Sequence, residues 1–300
     1  MKSVCVVAAV RDEEANLRPF VDSLLGLRFP AGIELRILFI EDSSKDATRT
    51  VLDALSREHE NVGYFCLEKG FGQGPAIVFG MRHVRADAYI MMDADGSHPS
   101  AAVPTMIELA REGAEVVQCV RRTLANRRSY RQLGTALFQR VARIATGVDT
   151  RSQNIFYRLT SSAVAEQLLA TPRYWRWLRF PLPASTRFLE IDTVERVHGR
   201  SKYGLFRLIG LAIDGVLSVT PTRRLLLLLV ASAVLVAWSS RHSTVRLLVG
   251  LGIITWLCVR YYRMAHDDVL ARMRVKESAN VPRVPPTAEK SAAPGCSAST

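Results

Sequence analysis

Two carboxylates one residue apart, Asp93 and Asp95, close an apolar run, 84–92, that has the length and the Tyr, Ile and Met content of a buried strand. Gly96 and Pro99 end the run, so the acids fall at a strand's C-terminal end. In an open parallel α/β sheet that rim is where ligands bind, because the βα loops open a crevice there. Two hard oxygen donors suit Mg2+ or Mn2+, which holds substrate phosphates through one or two carboxylates and waters. Asp-Ala-Asp-Gly is also ordinary turn composition, and the rest of the chain has to decide between the two readings.

Other residues offer related chemistry. Asp42 ends a second apolar run, 33–40, as a ligand acid or a turn acid. Gly70, Gly72 and Gly74 lead into a helix ending near His83. Close glycines let backbone approach a ligand, and a helix start offers N–H groups to a phosphate. The spacing is neither that of a P-loop nor a dinucleotide fingerprint, and a tight turn explains it as well. Arg121 follows the predicted strand 115–120 on the same rim, and its planar fork can hold a phosphate through two hydrogen bonds. Residues 196–203, Arg-Val-His-Gly-Arg-Ser-Lys-Tyr, add a second group of phosphate-competent donors after a strand-like stretch, 190–197.

The elements that must position these groups alternate. Strands are predicted at 4–10, 33–40, 62–67, 84–92 and 115–120, with helices at 14–25, after 46, from 76 to 83 and at 101–112. Continuous apolar strands covered on both faces imply a mostly parallel sheet in an α/β fold, with helices on both faces. Ser43 with Asp46 reads as a capping box for the second helix.

Three hundred residues accommodate a catalytic domain of about 200 residues and an appendage. Acids thin out after Asp214, and two apolar runs appear, 225–240 and 247–259, of sixteen and thirteen uncharged residues. Each is shorter than the roughly 20 residues a bilayer span needs. In tandem, flanked by Arg223, Arg224, Arg260 and Arg263, they read as a transmembrane hairpin whose arginines snorkel; a buried helical pair is the alternative. Residues 205–219 read as an amphipathic juxtamembrane helix, and the Pro- and Ser-containing tail from 275 as disordered. The domain division is therefore 1–203, 204–222, 223–263 and 264–300. Since the donor loops precede residue 220, a chain ending there is expected to keep its donor site.

The chain is basic, formally +12, with 34 Arg against 6 Lys. Nine arginines and a single acid, Asp149, lie between 121 and 158, where a basic helix is predicted at 133–144. An anionic partner follows: phosphorylated substrate or anionic membrane. Trp175, Trp177 and Phe180, interleaved with arginines, suit a membrane interface, and no motif supports nucleic acid. The five scattered cysteines have no metal or redox spacing, and the first apolar run is too short for a signal peptide, so the N-terminal domain is placed in the cytosol.

Taken together these blocks resemble the family 2 inverting glycosyltransferases, specifically the polyprenyl-phosphate or dolichyl-phosphate sugar synthases. Residues 12–17 (Asp-Glu-Glu-Ala-Asn-Leu) are similar to that family's N-E-x-E-N-[IL], 41–48 to D-D-x-S-x-D-x-T, 72–80 to G-x-G-x-A-x-x-x-G, 93–99 to D-A-D-x-x-H-P and 196–203 to R-x-x-G-x-S-K-[YL]. The likeness covers about 4–262 and implies a GT-A fold with a C-terminal hairpin. It implies that Glu13 and Asp42 hold the base and ribose of a nucleotide sugar, with Gly72 and Gly74 in the donor loop. Asp93 and Asp95 would approach ribose, metal and diphosphate, the metal being Mg2+ or Mn2+. Arg121, with Arg131 or Arg128, would face the lipid phosphate, and Arg196, Ser201 and Lys202 would close over the phosphates. Asp149 matches an acid of the family's D-x-x-S, as a positioning acid or base, but Gln153-Asn154-Ile155 stand where G-F-R is usual, and Ala9 and Arg11 stand where Pro and Tyr are usual.

The implied reaction moves one hexose from UDP-glucose or GDP-mannose to polyprenyl phosphate, on the cytosolic face of a multi-pass inner-membrane protein that is compatible with a homo-oligomer. The alternatives are transfer to another lipid or glycan acceptor, and a catalytically silent module that binds nucleotide sugar. A phosphate monoester is largely dianionic at pH 7, its second pKa being about 6, so the attack needs no strong base. The departing nucleoside diphosphate is what needs stabilising.

Overall fold

The computed structural model describes residues 1–121, 156–170, 183, 185–192, 244–266 and 269–281. The first part of the chain follows the predicted alternation closely: β1 (Ser3–Val10), α1 (Glu14–Leu25), β2 (Glu34–Glu41), α2 (Thr48–Glu58), β3 (Val62–Leu67), α3 (Gln73–His83), β4 (Ala88–Met91), α4 (Ala102–Arg111) and β5 (Val116–Arg121). Two-sided burial explains why the strands lack polar alternation. Val4, Val6, Ala8 and Val10 of β1 pack under α1, α2 and α4, while Cys5 and Val7 face α3.

β1 lies in the middle of the sheet, parallel to β2 from Ser3 opposite Glu34 to Val10 opposite Glu41, and parallel to β4 on its other side. Three later elements, unforeseen or misplaced in the sequence reading, complete the array: β6 (Arg158–Ser161), which leads into α5 (Ser162–Ala170), and β7 (Thr186–Ile191). β6 is antiparallel to both β4 and β5, so β5 again runs parallel to β4 and ends on the same rim. With β8 (Val275–Ala279) the described sheet reads β7-β5-β6-β4-β1-β2-β3-β8. It is a mixed sheet with a parallel core.

Several expectations need correction. The fourth strand begins at Ala88 and not at 84, because Val84 still bonds to the Gly80 carbonyl at the end of α3, and the Tyr89 hydroxyl ties down the turn through Ala86 N–H and Val84 C=O. The stretch 190–197 contributes only its first two residues to β7. Residues 275–281 of the tail are ordered: β8 pairs antiparallel with β3, and Val269, Leu270 and Met273 ahead of it are buried against the α3 side of the core.

The second apolar run lies within a longer helix, α6 (Thr244–His266), which takes in Arg246, Arg260 and Arg263. Among the described residues no helix is long and apolar enough to cross a membrane, so the two-helix transmembrane hairpin has no support there. The run 225–240, the basic helix 133–144, the Trp175–Phe180 loop and the juxtamembrane segment lie outside the described residues.

Candidate active site

The C-terminal ends of the parallel strands bring four groups of predicted residues to one rim. At β1 the chain turns through Asp12, whose φ is 53°, into α1 with Glu13 at its start. At β2, Ser43 has a φ of 64° and the turn runs to Thr48. The two turns lock together. Asp12 N–H bonds to Ser44 Oγ (3.0 Å) and Lys45 N–H to Asp12 Oδ1 (2.7 Å); Glu13 N–H reaches Thr48 Oγ1 (2.8 Å) and Ala47 N–H reaches Glu14 (2.7 Å). No Ser43 capping box forms, because α2 begins only at Thr48, with Ala47 at its N-cap, and Ser43 stands four residues ahead of that position. Asp46 instead accepts from Thr48 N–H at 3.0 Å, from Thr48 Oγ1 at 2.5 Å and from Glu14 N–H at 3.2 Å. Asp12, Glu14, Asp46 and Thr48 thus hold the rim in shape, which accounts for much of the 12–17 and 41–48 motifs in structural terms.

Asp42 lies within this frame, 4% exposed. Its Oδ1 accepts from Phe71 N–H at 2.6 Å and its Oδ2 from Gly72 N–H at 2.9 Å. Burial raises its pKa above the ordinary carboxylate range, against the pull of those two N–H groups and of Arg11, with Glu41 adding to the rise. The glycine loop therefore spends two N–H groups on the protein's own carboxylate instead of offering them to a ligand. Gly72, with φ 91°, needs to be glycine for its backbone conformation, and α3 begins at the next residue with Gly74 in its first turn.

At the end of β4, Asp93 is held from two sides. The Gln73 side-chain amide donates to Asp93 Oδ1. Asp93 N–H donates to His98 Nδ1 at 2.9 Å, which fixes the imidazole hydrogen on Nε2, 3.9 Å from Asp93 Oδ2. The His98 ring stacks on buried Tyr157 (centroids 4.9 Å, planes 12° apart), and the Tyr157 hydroxyl donates to the Pro99 carbonyl at 2.9 Å. Asp95, 6% exposed, accepts from Ser97 N–H at 3.0 Å, and Gly96 has a φ of 76°, so the turn and ligand readings both apply. Gln73 and Tyr157 escaped the sequence reading. An amide at a helix start beside a strand-end acid was the available signal for Gln73; Tyr157 gave none.

Arg121 ends β5, exposed, two strands from β4 across β6. Arg128, Arg131, Asp149, Arg196, Ser201 and Lys202 lie outside the described residues. The described rim thus carries, from β5 towards β3, a cation, a pair of carboxylates, and a buried carboxylate against a glycine loop. Among the described residues no three His, Cys, Asp or Glu side chains group to cage a metal. The two β4 acids fit an ion that shares its coordination with substrate phosphates and water.

A parallel-cored sheet in this strand order, with paired acids at its carboxyl rim, defines a GT-A type glycosyltransferase fold. The solved structures agree: glucosyl-3-phosphoglycerate synthase from Mycobacterium tuberculosis, in complex with Mn2+ and UDP-glucose, is similar with a TM-score of 0.53 at 16% identity, over 73% of this chain and 79% of that one. Mannosyl-3-phosphoglycerate synthase from Rubrobacter xylanophilus matches with a TM-score of 0.53 at 16% identity, over 71% of each chain. The family model described as Glycosyl transferase family 2 matches residues 3–169. The chain belongs to glycosyl transferase family 2 and is a glycosyltransferase. It is 31% identical over 242 residues to an undecaprenyl-phosphate 4-deoxy-4-formamido-L-arabinose transferase of Aeromonas hydrophila, covering 78% of this chain and 73% of that one. It is 29% identical over 240 residues to the protein of the same name from Pseudomonas aeruginosa, covering 78% of this chain and 70% of that one.

Proposed function

We propose that this protein transfers a single sugar from a nucleoside-diphosphate donor to undecaprenyl phosphate or a similar polyprenyl phosphate at a membrane surface, with inversion. The observation that carries the reading is the rim itself: a fixed carboxylate pair at β4 beside a donor-side acid, with Arg121 on the far side where a second anion would arrive. The relatives' names supply the acceptor class.

In this reading Asp42 and Glu13 receive the nucleoside, and Asp93, oriented by Gln73 and His98, and Asp95 hold a divalent ion, Mg2+ or Mn2+. That ion, when bound, neutralises charge on the departing diphosphate. Arg121 draws the acceptor phosphate to the opposite side of the sugar, and the phosphate oxygen, already ionised, attacks without a strong base. By resemblance, Arg131, Arg196, Ser201 and Lys202 are assigned to the phosphates and Asp149 to the role of a positioning acid or base. UDP-glucose and GDP-mannose remain the donors to test first. α6 supports membrane contact: Ile253, Trp256, Val259 and Tyr262 are exposed along it, and the Arg260 guanidinium lies 5.0 Å over the Trp256 ring, an aromatic and cationic face suited to headgroups. The inner-membrane, multi-pass placement and the hairpin with run 225–240 belong to the same proposal.

The test gives membranes containing the full chain labelled nucleotide sugars with and without undecaprenyl phosphate. Label entering a lipid from which mild acid releases it supports the reading. Donor binding without transfer to any lipid sinks it in favour of a silent module.

A further inference from the structure

Arg11 directly follows β1 on the same rim, and its place there depends on a glycine across the crevice. A β-carbon built on Gly70 would lie 2.7 Å from Arg11 Nη1, 3.2 Å from the Asp42 carbonyl oxygen and 3.5 Å from Asp42 Oδ2. The end of the Arg11 side chain therefore fills the space that Gly70 leaves empty, beside the Asp42 carboxylate, and its charge acts on that carboxylate. Asp42 cannot swing away, since Phe71 N–H and Gly72 N–H each hold one of its oxygens. Each carboxylate oxygen has a second lone-pair direction to offer. The result is a fixed hydrogen-bond acceptor next to a planar, permanently charged donor.

The strand order says which part of a donor meets this pair. β2 lies two strands from β4, roughly 10 Å at the usual interstrand spacing. With the diphosphate near Asp93 and Asp95, a nucleoside running along the rim brings its base to Arg11 and Asp42. An acceptor beside a donor is complementary to a ring N–H beside a carbonyl. Uracil, thymine and guanine present that edge. Adenine and cytosine present an unprotonated ring nitrogen beside an amine, which would set two acceptors against each other at Asp42 and an amine against the guanidinium.

We propose that Arg11, seated in the space left by Gly70, is a donor-specificity residue that works with Asp42 to select a nucleobase carrying a ring N–H next to a carbonyl. This rests on the glycosyl-transfer reading above and adds to it the residue, Arg11 in the space left by Gly70, that works with Asp42 in choosing the base.

The experiment measures binding of UDP, GDP, ADP and CDP to the full-length protein in detergent with Mn2+, by calorimetry. UDP or GDP is expected to bind at least about tenfold more tightly than ADP and CDP, as expected where a mismatched base leaves site groups unpaired. Arg11→Ala is expected to weaken the preferred nucleotide by about tenfold and to narrow the preference. Gly70→Ala should do the same with little change in melting temperature, because the new methyl group mainly displaces the flexible end of Arg11. In the Arg11→Ala background, Gly70→Ala should add little further loss. Unchanged affinity and preference in Arg11→Ala, or an equally large Gly70→Ala effect without Arg11, would overturn the inference while leaving the transfer reading intact. If none of the four nucleotides binds the wild-type protein, the transfer reading fails and this inference falls with it.

Discussion

Asp95 shows how one side chain serves both the turn and the site. Its Oδ1 takes the Ser97 N–H, so removing the whole side chain would disturb the loop as well as the chemistry. Asp95→Asn keeps an oxygen for Ser97 and deletes the charge, and it is therefore the cleaner variant. It should fold with a melting temperature close to wild type and lose roughly 2–4 kcal/mol of transition-state stabilisation, the scale of one preorganised charged group. Turnover within a few-fold of wild type would remove Asp95 from the metal and diphosphate assignment. The residue types and spacing at 93 and 95 were readable in the sequence because strand ends and turn residues are local signals. Their orientation was not: Gln73 and His98, which aim Asp93, reach it across 20 and 5 residues.

At the scale of elements, the turns after β1 and β2 stabilise each other, and Asp46 is the knot. Burial raises its pKa, but the bonds from Thr48 Oγ1, Thr48 N–H and Glu14 N–H outweigh that and hold it below the ordinary value. A depressed carboxylate pKa means that the folded state binds this proton less readily than the unfolded chain. The stabilisation is therefore present above the ordinary carboxylate pKa and is lost as pH falls through the lower, folded-state value. Asp46→Ala should cost about 1–2 kcal/mol at pH 7, typical of a lost helix-start cap, and the gap from wild type should close in acid. Thermal melts of both proteins from pH 7 down to pH 3 check this; a gap that widens in acid contradicts it. The capping signal at 43–46 was legible as a pattern, but the cap is made by Asp46 with Thr48 two residues on, and its third bond comes from Glu14 N–H in the other turn, which no local window contains.

At the scale of the molecule, residues 269–281 pack onto the same sheet that carries the candidate site. β8 covers the edge of β3, Glu277 pairs with Arg49, and the Asn280 amide points at the carbonyls of Ser56, His59 and Val62, where α2 ends and β3 begins. Gly63 is glycine here for a steric reason, since a β-carbon would come within 2.7 Å of the Asn280 carbonyl oxygen and 3.0 Å of that of Ala279. Gly63→Ala should lower stability by about 1–3 kcal/mol through overpacking against backbone, and much less in a chain that lacks 269–300. An equal loss in both chains would place the strain elsewhere. A chain cut after residue 220 is expected to keep its donor site, but the cut uncovers the β3 edge and removes buried Leu270 and Met273, so the truncated chain should melt earlier and associate through that edge.

Sequence alone determined the alternating order of β1 to β5, the burial of the strands on both faces and the rim on which Asp42, Asp93, Asp95 and Arg121 stand, because hydrophobic periodicity and turn composition act over a few residues. It also carried the family, through blocks several of whose residues brace the turns after β1 and β2. Only the tertiary structure decided the pairings made across long separations. β6 enters between β4 and β5 against their direction, β8 returns from beyond α6 to close β3, and Gly70 makes room for Arg11. In each case the deciding contact joins segments whose own composition is neutral about it, and the strand that β8 forms, Val-Lys-Glu-Ser-Ala, has too little apolar character to declare itself until β3 offers an open edge to pair with.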